Sequence, residues 1–177
     1  MNNDKNFKIA FENLIKFEGG YTNGQNQIKD EPTNIGITQN TLDKYNRKFP
    51  NKNFPQNVGD LKIAQAKEIY RKEYWDNTKI PEIINGRIRN AIFDMNVMSP
   101  PKTVAATVQK ALNIYMNAGL LIDSIMGVKT IGVINSIPDN DVADFMNILK
   151  NERMSSLHQM TNWATAKNGW TTRTMSY

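Results

Sequence analysis

Apolar side chains recur every three to four positions along most of the chain, which is the spacing of one face of an α-helix. The first such face lies near the N-terminus and ends before Gly19-Gly20. Its members are Phe7, Phe11, Leu14, Ile15 and Glu18. Asp4 is a suitable N-cap for this helix, and the two glycines are expected to end it.

Six further stretches carry the same spacing. They are 39–47, 60–75, 85–98, a stretch from Pro100-Pro101 to Tyr115, 130–135 and 139–160. Between the first two helices the chain is polar and rich in turn residues, and a short hairpin between Tyr21 and Ile37 is compatible with it. The sequence therefore predicts a mainly α fold with a short β-hairpin after the first helix as an option. A connector near 117–128 suggests two regions, residues 1–116 and residues 117–177.

Composition narrows the chemistry that the chain can perform. Among the 177 residues there is no cysteine and a single histidine, His158, which excludes disulfides, thiolate metal sites and clusters of histidine ligands. No apolar run is long enough to cross a bilayer, and the N-terminus lacks the pattern of a signal peptide. A net charge of +5 favours anionic partners. The basic residues are spread without a nucleic-acid-binding motif, so nucleic acid is not expected as a partner.

Glu18 is the carboxylate with the most informative surroundings. It is predicted on the apolar face of the first helix, at its last turn, near Phe11, Leu14 and Tyr21. Burial and the negative end of the helix dipole would both raise the pKa of its carboxyl group. A carboxylic acid that keeps its proton near neutral pH can protonate a glycosidic oxygen, and the following glycines leave room for a bulky polymer. The alternative is a structural glutamate that pairs with a lysine or arginine at the helix end.

Eight short motifs follow one another along the chain. They are Glu18-Gly19-Gly20-Tyr21, Thr33-Asn34-Ile35-Gly36-Ile37-Thr38, Ala66–Asp76, Ile92-Phe93-Asp94 with Ser99-Pro100, Val108–Leu112, Gly127–Thr130, Glu152-Arg153 and Gly169–Arg173. In this order and spacing they resemble the phage-type muramidases of glycoside hydrolase family 108. The resemblance implies a lysozyme-like helical bundle, with residues 1–116 as the catalytic region and residues 117–177 as a helical peptidoglycan-binding region packed on it.

The resemblance also implies a reaction. It is hydrolysis of the β-1,4 bond between N-acetylmuramic acid and N-acetylglucosamine in peptidoglycan, with Glu18 as the general acid. Family members place an aspartate nine residues after this glutamate, but here Gln27 stands at that position and the loop lacks its paired glycines. Asp30 is the nearest acid and is expected to act on the attacking water, with Glu31 as the alternative. Thr33 is expected to hold the same water, although a threonine at a turn often bonds the backbone instead.

Three further residues are expected to contact the glycan: Tyr21, Asn34 and Trp75. Aromatic rings stack on sugar faces, but aromatic residues at helical spacing are more often part of a core. Asn34 could also serve to stabilise its loop. Asp94, on an apolar helix, is expected to be a hydrogen-bonded structural residue. Arg173 and the tryptophans near it could contact the cell wall or pack the tail on the core.

No metal or organic cofactor is expected, because carboxylates suffice for glycoside hydrolysis. The expected partner is bacterial peptidoglycan, with no stable membrane insertion. The resemblance implies synthesis in the cytoplasm without a signal peptide and action in the periplasm or at the cell wall, after release through a holin or a secretion system. Two other interpretations are open: a protein that binds peptidoglycan without cleaving it, for which Gln27 is the best evidence, and a basic helical module for nucleic acid.

Overall fold

A computed structural model describes residues 2–24 and 31–177 and shows a mainly helical chain. Over these ranges the helices are α1 (Asn3–Ile15), α2 (Gln39–Lys48), α3 (Ile63–Tyr74), α4 (Gly86–Met98), α5 (Pro101–Met116), α6 (Val128–Asn135), α7 (Val142–His158) and α8 (Trp163–Met175). Two short antiparallel strands, β1 (Thr33–Asn34) and β2 (Ile37–Thr38), form the sheet. The predicted mainly α fold with a hairpin after the first helix is confirmed.

The hairpin is closed by a tight two-residue turn. Thr33 pairs with Thr38 and Asn34 with Ile37. The turn residues Ile35 and Gly36 both have positive φ, 52° and 71°, as a type I′ turn requires. Thr22 adds a further antiparallel bridge to Thr33, with N–H···O distances of 2.8 and 2.9 Å in the two directions. The segment that follows Glu18 is therefore fastened to the hairpin.

The core is assembled around α4, which is buried on most of its surface. Its apolar residues Ile88, Ile92, Phe93 and Met95 are fully buried, as expected for a helix that is enclosed by other elements. The Phe93 ring meets Trp75 edge-on at 5.3 Å between centroids. Because α4 is central, the polar residues that it carries lie inside the fold and need partners there.

Several boundaries differ from the sequence-based prediction. Asn2, not Asp4, caps α1, since its side chain accepts from the Lys5 N–H at 3.2 Å. The third helix begins at Ile63, because Asp60 ends a separate 3-10 turn. Over the described residues no helix has the length and apolarity needed to cross a membrane.

The apolar periodicity of the sequence does not predict helix α8. Its buried residues are Ala166, Arg173 and Thr174, of which only Ala166 is apolar. A helix that buries mainly polar side chains shows no apolar stripe in its sequence. The polar contacts of Arg173 take the place of that stripe.

Candidate active site

Glu18 lies just beyond the end of α1, which corrects its predicted place in the last helical turn. The helix ends at Ile15. After it the hydrogen bonds join residues three apart, because the Phe17 N–H donates to Leu14 O and the Glu18 N–H donates to Ile15 O. This turn directs the Glu18 side chain away from α1 and towards the hairpin, where its carboxylate lies against Gly36.

One oxygen of Glu18 is paired with Arg173 from α8. Arg173 Nη2 donates to Glu18 Oε1 at 2.9 Å. The pair is nearly enclosed, because 12% of the Glu18 side chain and 9% of the Arg173 side chain are exposed. Glu18 is thus paired with an arginine, as the structural alternative in the sequence analysis expects. The arginine is not at the end of the same helix, however, but in α8, near the C-terminus.

Arg173 is in turn anchored to Asp94 of α4. Its Nε lies 2.9 and 3.0 Å from the two Asp94 oxygens, and its Nη2 lies 2.7 Å from Asp94 Oδ1. Burial alone would lower the pKa of Arg173, but the hydrogen bonds and charges of Asp94 and Glu18 outweigh it and raise the pKa above its ordinary range. Arg173 is therefore a permanent cation between two carboxylates.

Tyr177 completes this network by donating its hydroxyl to Asp94 Oδ2 at 2.7 Å. Burial, followed by the negative charge of Asp94, raises the pKa of Tyr177 above its ordinary value. With two bonds from Arg173 and one from Tyr177, Asp94 is the hydrogen-bonded buried acid that its place on an apolar helix predicts.

The opposite side of the Glu18 carboxylate faces Gly36 and Tyr70. A Cβ atom at Gly36 would collide with Glu18 Oε2 and with the Tyr70 hydroxyl, so only glycine fits here. Tyr70 donates to Ile35 O at 3.1 Å. Its pKa is raised, first by burial and then by the charge of Glu18.

The surface around Glu18 is open and aromatic. Phe17 is 42% exposed and Tyr21 is 54% exposed, while Gly19 and Gly20 have no neighbouring atoms within 4 Å of an added Cβ. A cavity of about 730 Å³ adjoins this segment and is lined by Phe17, Trp170 and Arg173, among others. Such concave, partly aromatic surfaces are typical of ligand sites.

Two predicted glycan contacts are corrected by burial. Trp75 is fully buried and donates its indole N–H to Asn3 Oδ1 at 2.7 Å, so its ring is part of the core. Asn34 is only 8% exposed. Its amide nitrogen lies 3.0 to 3.3 Å from the backbone oxygens of Val58 and Gly59, in the 3-10 turn Val58–Asp60, and of Leu61, the next residue. Asn34 holds the hairpin to this turn and does not face solvent.

Thr33 is the first residue of β1, and Glu31 lies two residues before it. Thr33 donates its hydroxyl to Glu31 O at 3.1 Å, as a turn threonine does, and its oxygen can still accept a hydrogen bond. The Glu31 carboxylate accepts from the Asn40 N–H at the start of α2. Asp30 and Gln27 lie outside the described residues. Among the described residues, no group of three or more acidic or histidine side chains is placed to hold a metal ion.

Sequence reasoning missed the partners of Glu18. Arg173 and Tyr177 reach the site only through folding, and neither forms a local pattern with Glu18. The motif Gly169–Arg173 is the available signal, and its arginine is predicted either to contact the cell wall or to pack the tail on the core.

Comparisons with known proteins show the family of this chain. The model of the glycosyl hydrolase 108 family matches residues 11–99, which is half of the chain, and the chain belongs to this family. It is therefore a glycoside hydrolase, and its family supports cell-wall peptidoglycan as the substrate.

A solved structure extends the likeness over the whole chain. The structure of SagA from Brucella abortus is similar to this protein with a TM-score of 0.75 and 25% sequence identity, covering 98% of this chain and 91% of that one. A search of curated proteins gave no match.

Proposed function

We propose that this protein is an N-acetylmuramidase that cleaves the β-1,4 bond between N-acetylmuramic acid and N-acetylglucosamine, with Glu18 as the general acid. The observation that carries the proposal is the geometry of the Glu18 carboxylate. Its Oε1 is held by Arg173, whereas within the described residues no hydrogen bond reaches Oε2. An oxygen that accepts from a cationic donor is not available to give a proton, so Oε2 is the oxygen assigned to the proton transfer.

The reaction follows from this assignment. Glu18 Oε2 gives its proton to the glycosidic oxygen as the bond from that oxygen to the anomeric carbon of N-acetylmuramic acid breaks. The oxygen of a water molecule forms the new bond to the anomeric carbon. A proton of that water passes to a second carboxylate, and Glu18 is left ionised beside Arg173.

We assign the second carboxylate to Asp30, with Thr33 as a hydrogen-bond partner of the water. Glu31 is the weaker candidate because its carboxylate already accepts from the Asn40 N–H at the start of α2. The Thr33 hydroxyl donates to Glu31 O, which leaves its oxygen to accept from a water. Variants Asp30→Asn and Glu31→Gln separate the two, since only the first is expected to lose activity.

The glycan is proposed to run over the exposed segment from Phe17 to Tyr21. Tyr21 is more than half exposed, and its ring lies 3.2 Å from the position of a Cβ on Gly59, so the ring rests against protein while much of its surface is open to solvent. Aromatic rings held in this way offer a flat apolar surface to sugar rings.

The chemical identity of the cleaved bond is tested by reducing the products with borohydride. A muramidase leaves N-acetylmuramic acid at each new reducing end, so acid hydrolysis after reduction yields muramitol. Glucosaminitol in its place would show that the other glycosidic bond is cut. Absence of both, together with sedimentation of the protein with insoluble peptidoglycan, would favour the binding-only alternative.

We propose the place of action of the protein from its family and from the sequence resemblance. The family supports action on the cell wall, and the resemblance to phage lysis enzymes supports release to the periplasm or wall through a holin or a secretion system. Residues 117–177 are proposed to assist peptidoglycan binding. Trp170, which is half-buried and lines the cavity beside Phe17, supports this role.

A further inference from the structure

Helix α8 carries the residue that connects the end of the chain to the proposed acid. Arg173 Nη2 lies 2.9 Å from Glu18 Oε1 and 2.7 Å from Asp94 Oδ1. We propose that Arg173 is a positioning residue for catalysis, which fixes the Glu18 carboxylate relative to the glycan while Asp94 fixes Arg173. This inference rests on the proposed role of Glu18 as the acid.

The anchor on Asp94 is rigid and buried. Both Asp94 oxygens accept from Arg173 Nε, and Tyr177 donates to Oδ2. The Arg173 and Asp94 side chains are each only 9% exposed. The guanidinium also lies over the Phe17 ring, 5.6 Å from its centroid, next to Glu18 in the chain. These contacts leave the guanidinium little freedom to move, so its Nη2 is a fixed reference point.

Glu18 needs such a reference because it lies between α1 and β1, outside any helix or strand. It follows the end of α1 and precedes two glycines, and no side chain other than Arg173 forms a hydrogen bond with its carboxylate among the described residues. A misplacement of about 1 Å at a reacting group can lower the rate by about 100-fold. Arg173 also faces the negative charge that forms on Glu18 as the proton leaves.

The planar fork of arginine is essential to this role. One guanidinium reaches two carboxylates from different elements, Asp94 of α4 and Glu18 of the segment after α1. A lysine keeps the charge but lacks the Nε that bonds both Asp94 oxygens and has no fixed fork, so its ammonium nitrogen would not be held at one position beside Glu18.

The test compares Arg173→Lys with wild type on soluble, uncross-linked glycan strands. We expect kcat to fall by about 100-fold with KM changed less than about 3-fold, because the glycan surface stays intact. Arg87→Lys is the matched control: Arg87 Nη2 bonds Tyr177 O at 3.3 Å, so it holds the same chain end without touching Glu18, and its kinetics should equal those of wild type. Guanidinium ions at low millimolar concentration should restore part of the kcat of Arg173→Ala.

Three results separate the failure of this inference from failure of the proposed function. If wild type cleaves and folded Arg173→Lys has an unchanged kcat, the positioning role is wrong. If wild type does not cleave, the proposed function fails, and a crystal structure of Arg173→Lys then decides the positioning role, since an unmoved Glu18 carboxylate contradicts it. If Arg173→Lys does not fold, Asp94→Asn replaces it, assayed at a temperature at which circular dichroism shows it to be folded; this variant keeps the cation, weakens its anchor, and should lose about 10-fold in kcat, whereas an unchanged kcat contradicts the proposal.

Discussion

Glu18 Oε1 and Asp94 Oδ1 form ion pairs with the same nitrogen, Nη2 of Arg173, at 2.9 and 2.7 Å. The two carboxylates belong to the segment after α1 and to the central helix α4, and the nitrogen belongs to α8, 155 positions after Glu18. The geometry of the proposed acid is thus coupled to the packing of the chain end. The contact of Arg173 with Asp94, which packs α8 on α4, and its contact with Glu18, the proposed acid, belong to one network.

Breaking the buried ion pair is expected to lower stability strongly. Asp94→Asn leaves Arg173 enclosed with Glu18 as its remaining anionic partner, and removal of one member of a buried pair costs about 3 to 5 kcal/mol of unfolding free energy. Urea denaturation measures this loss. Glu82→Gln is the control, because Glu82 pairs with Lys79 on the surface, where both side chains are nearly half exposed, and should cost less than about 1 kcal/mol. Equal losses in the two variants would show that the Asp94 network does not stabilise the fold.

A methyl group at position 36 is expected to disturb the acid. Gly36 has φ of 71°, and a Cβ there would collide with the Glu18 carboxylate and the Tyr70 hydroxyl. Gly36→Ala should lose about 1 to 2 kcal/mol from backbone strain and at least about 100-fold in kcat from displacement of Glu18. Gly132→Ala in α6, where an added Cβ meets no atom within 4 Å, should keep full activity. A fully active Gly36→Ala variant would mean that the Glu18 position is not critical.

Stability should fall in strong alkali. Burial and Asp94 raise the pKa of Tyr177 in the folded state, so above about pH 10 the unfolded chain loses this proton while the folded chain keeps it. The unfolded state then binds fewer protons than the folded state. The contribution of Tyr177 to the free energy of unfolding is therefore fully present below about pH 10 and declines above it by up to about 1.4 kcal/mol per pH unit. Tyr177→Phe should reduce the slope of unfolding free energy against pH between about pH 10.5 and 12 by this amount. Identical slopes would contradict the shifted pKa.

The two aromatic residues predicted for the glycan should now behave differently. Tyr21 is exposed and Trp75 is buried. Tyr21→Ala should keep its stability but raise KM by about 3- to 10-fold, as expected for loss of about 1 kcal/mol of contact. Trp75→Phe should lose about 2 to 3 kcal/mol of stability, from the smaller ring and the lost bond to Asn3, with unchanged KM. The reverse pattern would return Trp75 to the binding surface.

The sequence predicted those parts of the fold that depend on local pattern. Apolar periodicity located seven helices because each buries an apolar face, and it missed α8 because Arg173 is among the few residues that this helix buries. Glu18 was found from its motif, but its partner was not, since no local rule connects residues at opposite ends of a chain. The sequence leaves Trp75 as a candidate for glycan binding because periodicity shows which face of a helix a residue lies on but not which part of the protein covers that face.

The most direct test of Glu18 as the proton donor is release of reducing ends from purified peptidoglycan by wild type and by Glu18→Gln. Glutamine keeps the size of the side chain and its hydrogen bond from Arg173 but has no transferable proton. Wild type should cleave, and the folded variant should be slower by about 100- to 10,000-fold. Equal rates in the two proteins would contradict the role of Glu18 and direct the search for the acid to Asp30 and Glu31.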